Sequence, residues 1–245
     1  MCIPSACARS YRAHAVLRSG EDGKKQMDIL VAIGLFVVAF LLGSVPFGVI
    51  ISKVFYHTDI REHGSGNIGT TNAIRTMGKV GGYSVFVLDF GKGLLSGVLA
   101  MLACWFLLPG GGLAPGAFPT YHEMLAIAVC GCTLGHIFSP WLGFKGGKGI
   151  AVAIGCVFIA LGPIAALLEI VLFAVIVITT RYVSLGSVAA AVAFPFFALY
   201  FFWGDALAIA LCAVTALVVI WAHRGNIKRL LSGTERRVGD KKKES

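Results

Sequence analysis

Seven apolar runs, separated by polar or glycine-bearing breaks, dominate this 245-residue chain and leave it few folds to adopt. They fall at about 28–51, 80–108, 122–141, 149–161, 163–180, 184–203 and 205–222. Within hydrocarbon every backbone polar group must be paired internally, so runs of this length predict membrane-spanning helices. The expected fold is an all-α integral membrane protein, a seven-transmembrane-helix bundle with short or broken helices. The fourth run is short for a span that needs roughly 20 residues, which predicts a tilted, half-inserted or re-entrant segment. Gly162-Pro163 and Trp203-Gly204-Asp205 are tight turns that divide two runs too long to be single helices. With 57% hydrophobic and only 13% charged residues, a large soluble core is excluded.

Charge tests the count. From residue 27 onward the cations are Lys53, Arg61, Arg75, Lys79, Lys92, Lys145, Lys148, Arg181 and a basic tail from Arg224 to Lys243. Seven spans put segments 52–79, 143–148, 181–183 and 223–245 on one side. The opposite connections, 109–121, 162–163 and 204, contain no Lys or Arg. Such a split predicts the loaded side in the cytoplasm, the N-terminus outside and the C-terminus inside. The net charge of +9 reads as this bias and as attraction to anionic lipid, with no soluble basic domain for nucleic acid. Residues 1–26 carry Arg9, Arg12, Arg18, Lys24 and Lys25 on the wrong side and lack the apolar core of a signal peptide. Either Met27 is the true start or the extension is a non-structural leader. Residues 27–222 are then one membrane domain, and 223–245 a basic cytoplasmic tail. Seven cysteines form no disulfide framework, and Cys130-x-Cys132 has the wrong spacing for a metal or redox pair, so no metal site is expected.

Chemistry-bearing residues collect on the loaded side. Ser65, Asn67, Thr70, Thr71, Asn72 and Arg75 are spaced by Gly64, Gly66 and Gly69. Glycine allows backbone N–H groups to crowd an oxyanion, and arginine supplies compensating charge. The plainer account is a flexible loop that caps the next helix. Asp89 and Lys92 lie within the second run, three residues apart on one helical face. They are either a structural ion pair or a functional intramembrane charge. GLLSG, Gly93 to Gly97, is a small-xxx-small helix contact. FKGGKG, Phe144 to Gly149, resembles a P-loop only superficially, since Gly149 stands where a hydroxyl should be and no strand precedes it. Nucleotide hydrolysis is unsupported, yet Lys145, Gly146, Gly147, Lys148 and Gly149 before a helix N-terminus still make an anion site. His136 reads as a structural hydrogen-bonder. Ser184, His223 and Asn226 each have a capping explanation alone, but together on one membrane face they are the remaining walls of a site.

The series GSVPFG, GSGNIGTTNAIR, DFGKG, GHIFSPWLGFKGGKGIA, YVSLGS and HRGNIKRL, in that order from Gly43 to Glu235, resembles the bacterial acyl-phosphate-dependent glycerol-3-phosphate acyltransferases. The resemblance implies a seven-helix inner-membrane enzyme with its site on the cytoplasmic face. It implies transfer of a fatty acyl group from acyl phosphate to the 1-hydroxyl of sn-glycerol 3-phosphate, giving lysophosphatidate and phosphate, the first step of bacterial phospholipid synthesis. Acyl-CoA, nucleotide and metal cofactors are not implied. Carried over by position, Ser65, Arg75, Lys148 and His223 are the expected catalytic residues. Gly66, Asn67, Asn72, Lys92, Lys145, Gly146, Gly147, Gly149, Ser184 and Asn226 are the expected substrate-binding residues. The pattern does not reach into residues 1–26, and the connection GGGLAPGAFPTYHE is long for the family.

Acyl phosphate is already activated, so the chemistry asks for alignment and charge compensation rather than a covalent acyl-enzyme. His223 is the candidate general base, with a substrate phosphate oxygen as the alternative. No GxSxG elbow supports Ser65 or Ser184 as nucleophile. An anion or organophosphate transporter is the rival reading, opposed by polar clusters on one face only and by featureless outer connections. A lipid phosphotransferase would be expected to show a metal-binding acidic cluster, and the twelve acids of the sequence form none. Membrane lipids are the expected surroundings, and the oligomeric state is left open.

Overall fold

The computed structural model describes residues 25–113 and 117–240, and most of the expected leader, 1–26, lies outside them. Helices α1 (25–44) and α2 (Phe47–Tyr56) occupy the first apolar run. They are followed by α3 (Thr70–Leu107), α4 (Tyr121–Ile137) and α5 (Ile150–Ala160). The last four are α6 (Pro163–Thr180), α7 (Val183–Phe201), α8 (Ala206–Ala222) and α9 (Arg224–Leu231). No strand occurs among the described residues. Among the described residues five helices are long and apolar enough to cross a membrane, the first of them α1 and α2 together, with a sixth if α8 and α9 are taken as one broken span bent by 57°. Helix α5, with 11 residues, reaches only ~16 Å along its axis and is too short to cross alone.

The first run is broken, where a single helix over 28–51 was expected. Pro46 has no N–H to continue the ladder, and the chain pauses at Val45-Pro46 before α2 begins. The carbonyls freed by the break are taken up by side chains from α3 and from the connection after α4. Ser139 Oγ donates to the Ser44 carbonyl at 2.7 Å, and Lys92 Nζ donates to the Val45 carbonyl at 2.8 Å. Trp141 Nε1 donates to Ser44 Oγ at 2.8 Å. A second break lies inside α3, where Gly78 adopts φ 77° and ψ −174°. This leaves a short leading helix that carries Arg75 and a long trailing one that coincides with the expected span over 80–108. Only glycine enters that conformation without strain.

Helix α5 is held chiefly by α3. A Cβ on Gly93 would stand 2.0 Å from the Val152 carbonyl oxygen, and one on Gly97 would stand 2.7 Å from Ile159 Cβ. The small-residue pattern at 93–97 is thus a helix contact. Buried apolar side chains from α3, α4, α5, α7 and α8 form the main core, including Met124, Val129, Val157 and Phe202. The outer faces are apolar too: Trp105, Ile178 and Tyr200 are 75%, 78% and 76% exposed. Such surfaces suit lipid and not water.

Candidate active site

Three connections and the ends of five helices converge on one cavity of about 910 Å³. Its first wall is the loop before α3. Asn72 ties this loop together: its Oδ1 accepts from Ser65 N at 2.8 Å, and Nδ2 faces the carbonyls of Ile60, His63 and Asn67 at 3.1, 3.0 and 2.9 Å. With its amide protons engaged by backbone carbonyls, Asn72 shapes the loop and has no side-chain donor left for a phosphate. Gly69 begins α3 without a side-chain cap, and Thr70 Oγ1 is buried with no partner. Unpaired N–H groups of that first turn, Ser65, Asn67, Thr70 and Arg75 all line the cavity.

The second wall is the loop before α5. Gly146 N and Gly147 N donate to the carbonyls of Ile137 and His136, both at 3.0 Å. These two amides hold the loop against α4 and do not line the cavity; Lys145 and Gly66 are exposed and also lie outside its lining. A Cβ on Gly147 would meet His136 Nε2 at 2.1 Å, so the loop sits directly on that ring. Lys148, Gly149, Ile150 and Ala151 do line the cavity, and Gly149 caps α5 with backbone alone. Beneath the loop, Lys92 forms an ion pair with Asp89 at 2.8 Å and donates to His136 Nδ1 at 3.0 Å. Lys92 is 3% exposed and does not reach the cavity, so the structure favours the structural reading of this lysine. Its work is to bind the Pro46 break, α3 and α4 together.

The third and fourth walls come from α7, the α8–α9 joint and the chain after α9. Ser184 Oγ is buried without a partner at the start of α7. His223 Nδ1 lies 2.8 Å from the Val219 carbonyl. A carbonyl only accepts, so Nδ1 carries the proton and Nε2 is left with a free lone pair. Asn226 Nδ2 donates to Glu235 Oε1 at 2.7 Å, and Arg229 Nε donates to Glu235 Oε2 at 2.6 Å. Burial alone would raise Glu235, yet Asn226, the neighbouring Ser184 hydroxyl and Arg229 together hold its carboxyl below the ordinary glutamate value.

Arg75, Lys148, Arg229 and Arg236 line the same mouth as this carboxylate, and Arg229 is paired with it. Burial pushes Lys148 down to about 8; Glu235 opposes that shift, and Arg229 and Arg75 add to it. A lysine held in this way gains most from an arriving dianion. Beyond the mouth the lining turns apolar, through Ile154, Val157, Phe173, Ala190 and Phe194. Of the expected residues, the structure brings Ser65, Asn67, Asn72, Arg75, Lys148, Gly149, Ser184, His223 and Asn226 to this one cavity. Glu235, Arg229 and Arg236 were missed, because the tail reads as a solvated basic run until α9 bends back. Thr70 was visible in its cluster but passed over as a cap.

The family model described as "Glycerol-3-phosphate acyltransferase" matches residues 33–233. The chain is 41% identical over 210 residues to the glycerol-3-phosphate acyltransferase of Rhodopseudomonas palustris (strain BisB5), covering 86% of this chain and 97% of that one. It is 39% identical to glycerol-3-phosphate acyltransferase 2 of Bacillus anthracis, with 82% and 96% covered. Among solved structures it is similar to PlsY (YgiH), an integral membrane glycerol 3-phosphate acyltransferase, in its glycerol 3-phosphate form. That match has a TM-score of 0.73 at 36% identity, covering 85% of this chain and 96% of that one. The lysophosphatidic acid form of the same enzyme matches with a TM-score of 0.70. On the extent of these matches, the chain belongs to the glycerol-3-phosphate acyltransferase family.

Proposed function

We propose that this protein transfers a fatty acyl group from acyl phosphate to the 1-hydroxyl of sn-glycerol 3-phosphate, releasing lysophosphatidate and phosphate. One observation carries the reading: cations from four separate segments share a mouth with two helix N-termini that lack side-chain caps, and this mouth opens into an apolar slot. Two phosphates need the first part and an acyl chain needs the second.

In this reading Arg75 and Lys148, with the leading amides of α3 and α5, hold the two phosphates. Ser65, Asn67, Ser184 and Asn226 orient them through hydrogen bonds. The glycerol hydroxyl oxygen bonds to the acyl carbonyl carbon, and the bond from that carbon to the phosphate oxygen breaks. The hydroxyl proton passes to His223 Nε2 or to an oxygen of the departing phosphate. Positioning and charge compensation supply the rate, with no covalent enzyme intermediate. The positive-inside distribution supports seven spans, an outside N-terminus and a site on the cytoplasmic face of the bacterial inner membrane.

Purified protein in detergent, given glycerol 3-phosphate with either acyl phosphate or acyl-CoA, tests the proposal. The expected result is lysophosphatidate and stoichiometric phosphate from acyl phosphate, and no ester from acyl-CoA. Absence of product from acyl phosphate would remove the assignment.

A further inference from the structure

The apolar limb of the cavity runs between α5, α6, α7 and α8, and a carboxyl interrupts its lining. Glu169, on α6, is 6% exposed and faces the same cavity as Phe173, Phe194 and Ala216. Its Oε1 has no hydrogen-bond partner among the described residues, and none of their ion pairs includes it. Thr215, a polar wall residue on the adjoining α8, has already committed its hydroxyl proton to the Leu211 carbonyl at 2.8 Å. A carboxyl buried in this way is costly unless something in the cavity bonds to it. Mutual packing does not explain it, since Glu169 stabilises no neighbour through a polar contact.

Its depth narrows what that something is. Glu169 lies ~16 Å along α6 from Thr180, the last residue of that helix, and the chain next enters the polar mouth at Ser184. A ligand anchored by its phosphate at the mouth therefore reaches Glu169 with the distal part of a long chain. An unsubstituted chain sliding past strips water from the carboxyl and returns no hydrogen bond. A hydroxyl at that depth donates to it whatever the protonation state of the carboxyl.

We propose that Glu169 is a chain-selecting residue of the acyl slot, built to take a long acyl chain with a hydroxyl in its distal half and to disfavour the unsubstituted chain of equal length. The inference rests on the acyltransferase reading, because it takes the apolar limb to be the acyl slot. Sites that hydrogen-bond a substrate hydroxyl discriminate strongly against the analogue without it, and purely apolar slots discriminate weakly.

The test compares stearoyl phosphate with hydroxystearoyl phosphate, its hydroxyl two-thirds of the way down the chain, as acyl donors for the full-length protein in detergent. In the natural protein kcat/KM favours the hydroxylated donor by roughly tenfold. In Glu169→Leu, and in Glu169→Met as a second apolar replacement, the preference is lost or reversed; Glu169→Gln, which still accepts a hydrogen bond, keeps most of it. Equal or lower kcat/KM for the hydroxylated donor in the natural protein overturns the inference, as does a preference unchanged in the apolar variants. Failure to form ester from either donor would instead count against the acyltransferase reading itself.

Discussion

At the scale of single residues, His223 is set up by one bond. With Nδ1–H given to the Val219 carbonyl, the ring presents only Nε2, in the form that accepts a proton. His223→Ala is expected to lower kcat by about 100-fold or more, in the range for general acid–base groups, with the protein still folded and monodisperse in detergent. Arg75→Ala should lose a similar factor, through loss of charge against phosphate. Near-natural turnover in either purified variant would take that residue out of the site. Lys148 gives a pH signature. Its amine, lowered to about 8 in the free protein, is raised again when a dianion binds, so the protonated form is the one that binds. Below about pH 8 this group leaves affinity constant; above it, affinity falls by up to about tenfold per pH unit. KM values for both substrates between about pH 7 and about pH 9.5 should show the rise for at least one of them, and Lys148→Met should abolish it. A flat KM for both in the natural protein would contradict this account of the lysine.

At the scale of elements, the site depends on how its two anion-facing loops are seated. The α5 loop rests on His136, which the Lys92–Asp89 pair holds from below. Gly147→Ala would drive a methyl group into that ring, so it should displace the loop and cost most activity with helix content preserved in circular dichroism. Further out, Gly93→Val would force α5 off α3 and destabilise by about 1–3 kcal/mol, the usual toll of overpacking, read as a lower melting temperature in detergent. An unaltered melt would mean that these helices do not pack at Gly93. The helices themselves could be read from sequence, because long apolar runs and their glycine and proline breaks state the pattern directly. Pro46 also stated its break, though the run around it looked continuous. Which glycine amides face a ligand could not be read, since Gly146 and Gly147 look like Gly149 until their carbonyl partners on α4 are known. Nor could the carboxylate of Glu235, which enters the site only through the bend between α8 and α9. Lys92 was ambiguous for a related reason: its ion partner is local in sequence, but His136 and Val45 are not.

For the whole molecule, the account is one of sidedness. Cations and polar loops collect at one end of a bundle whose flanks are apolar, as expected of a multi-pass membrane protein. Five native cysteines are buried, so in a background without Cys2 and Cys7 single reporters can be placed cleanly. Ser232→Cys should react with a membrane-impermeant maleimide only after the cytoplasmic side is opened. Leu113→Cys, at a position 70% exposed, should react in intact cells. The reverse pattern would invert the proposed topology and with it the placement of the site.

The most direct test of the central claim is the structure of the protein bound to a non-hydrolysable acyl phosphonate and glycerol 3-phosphate. The account predicts both phosphorus groups in the mouth formed by Arg75, Lys148, Ser184 and His223, with the alkyl chain lying between α5, α6, α7 and α8. A phosphonate bound on any other surface, or an alkyl chain outside that slot, would contradict it.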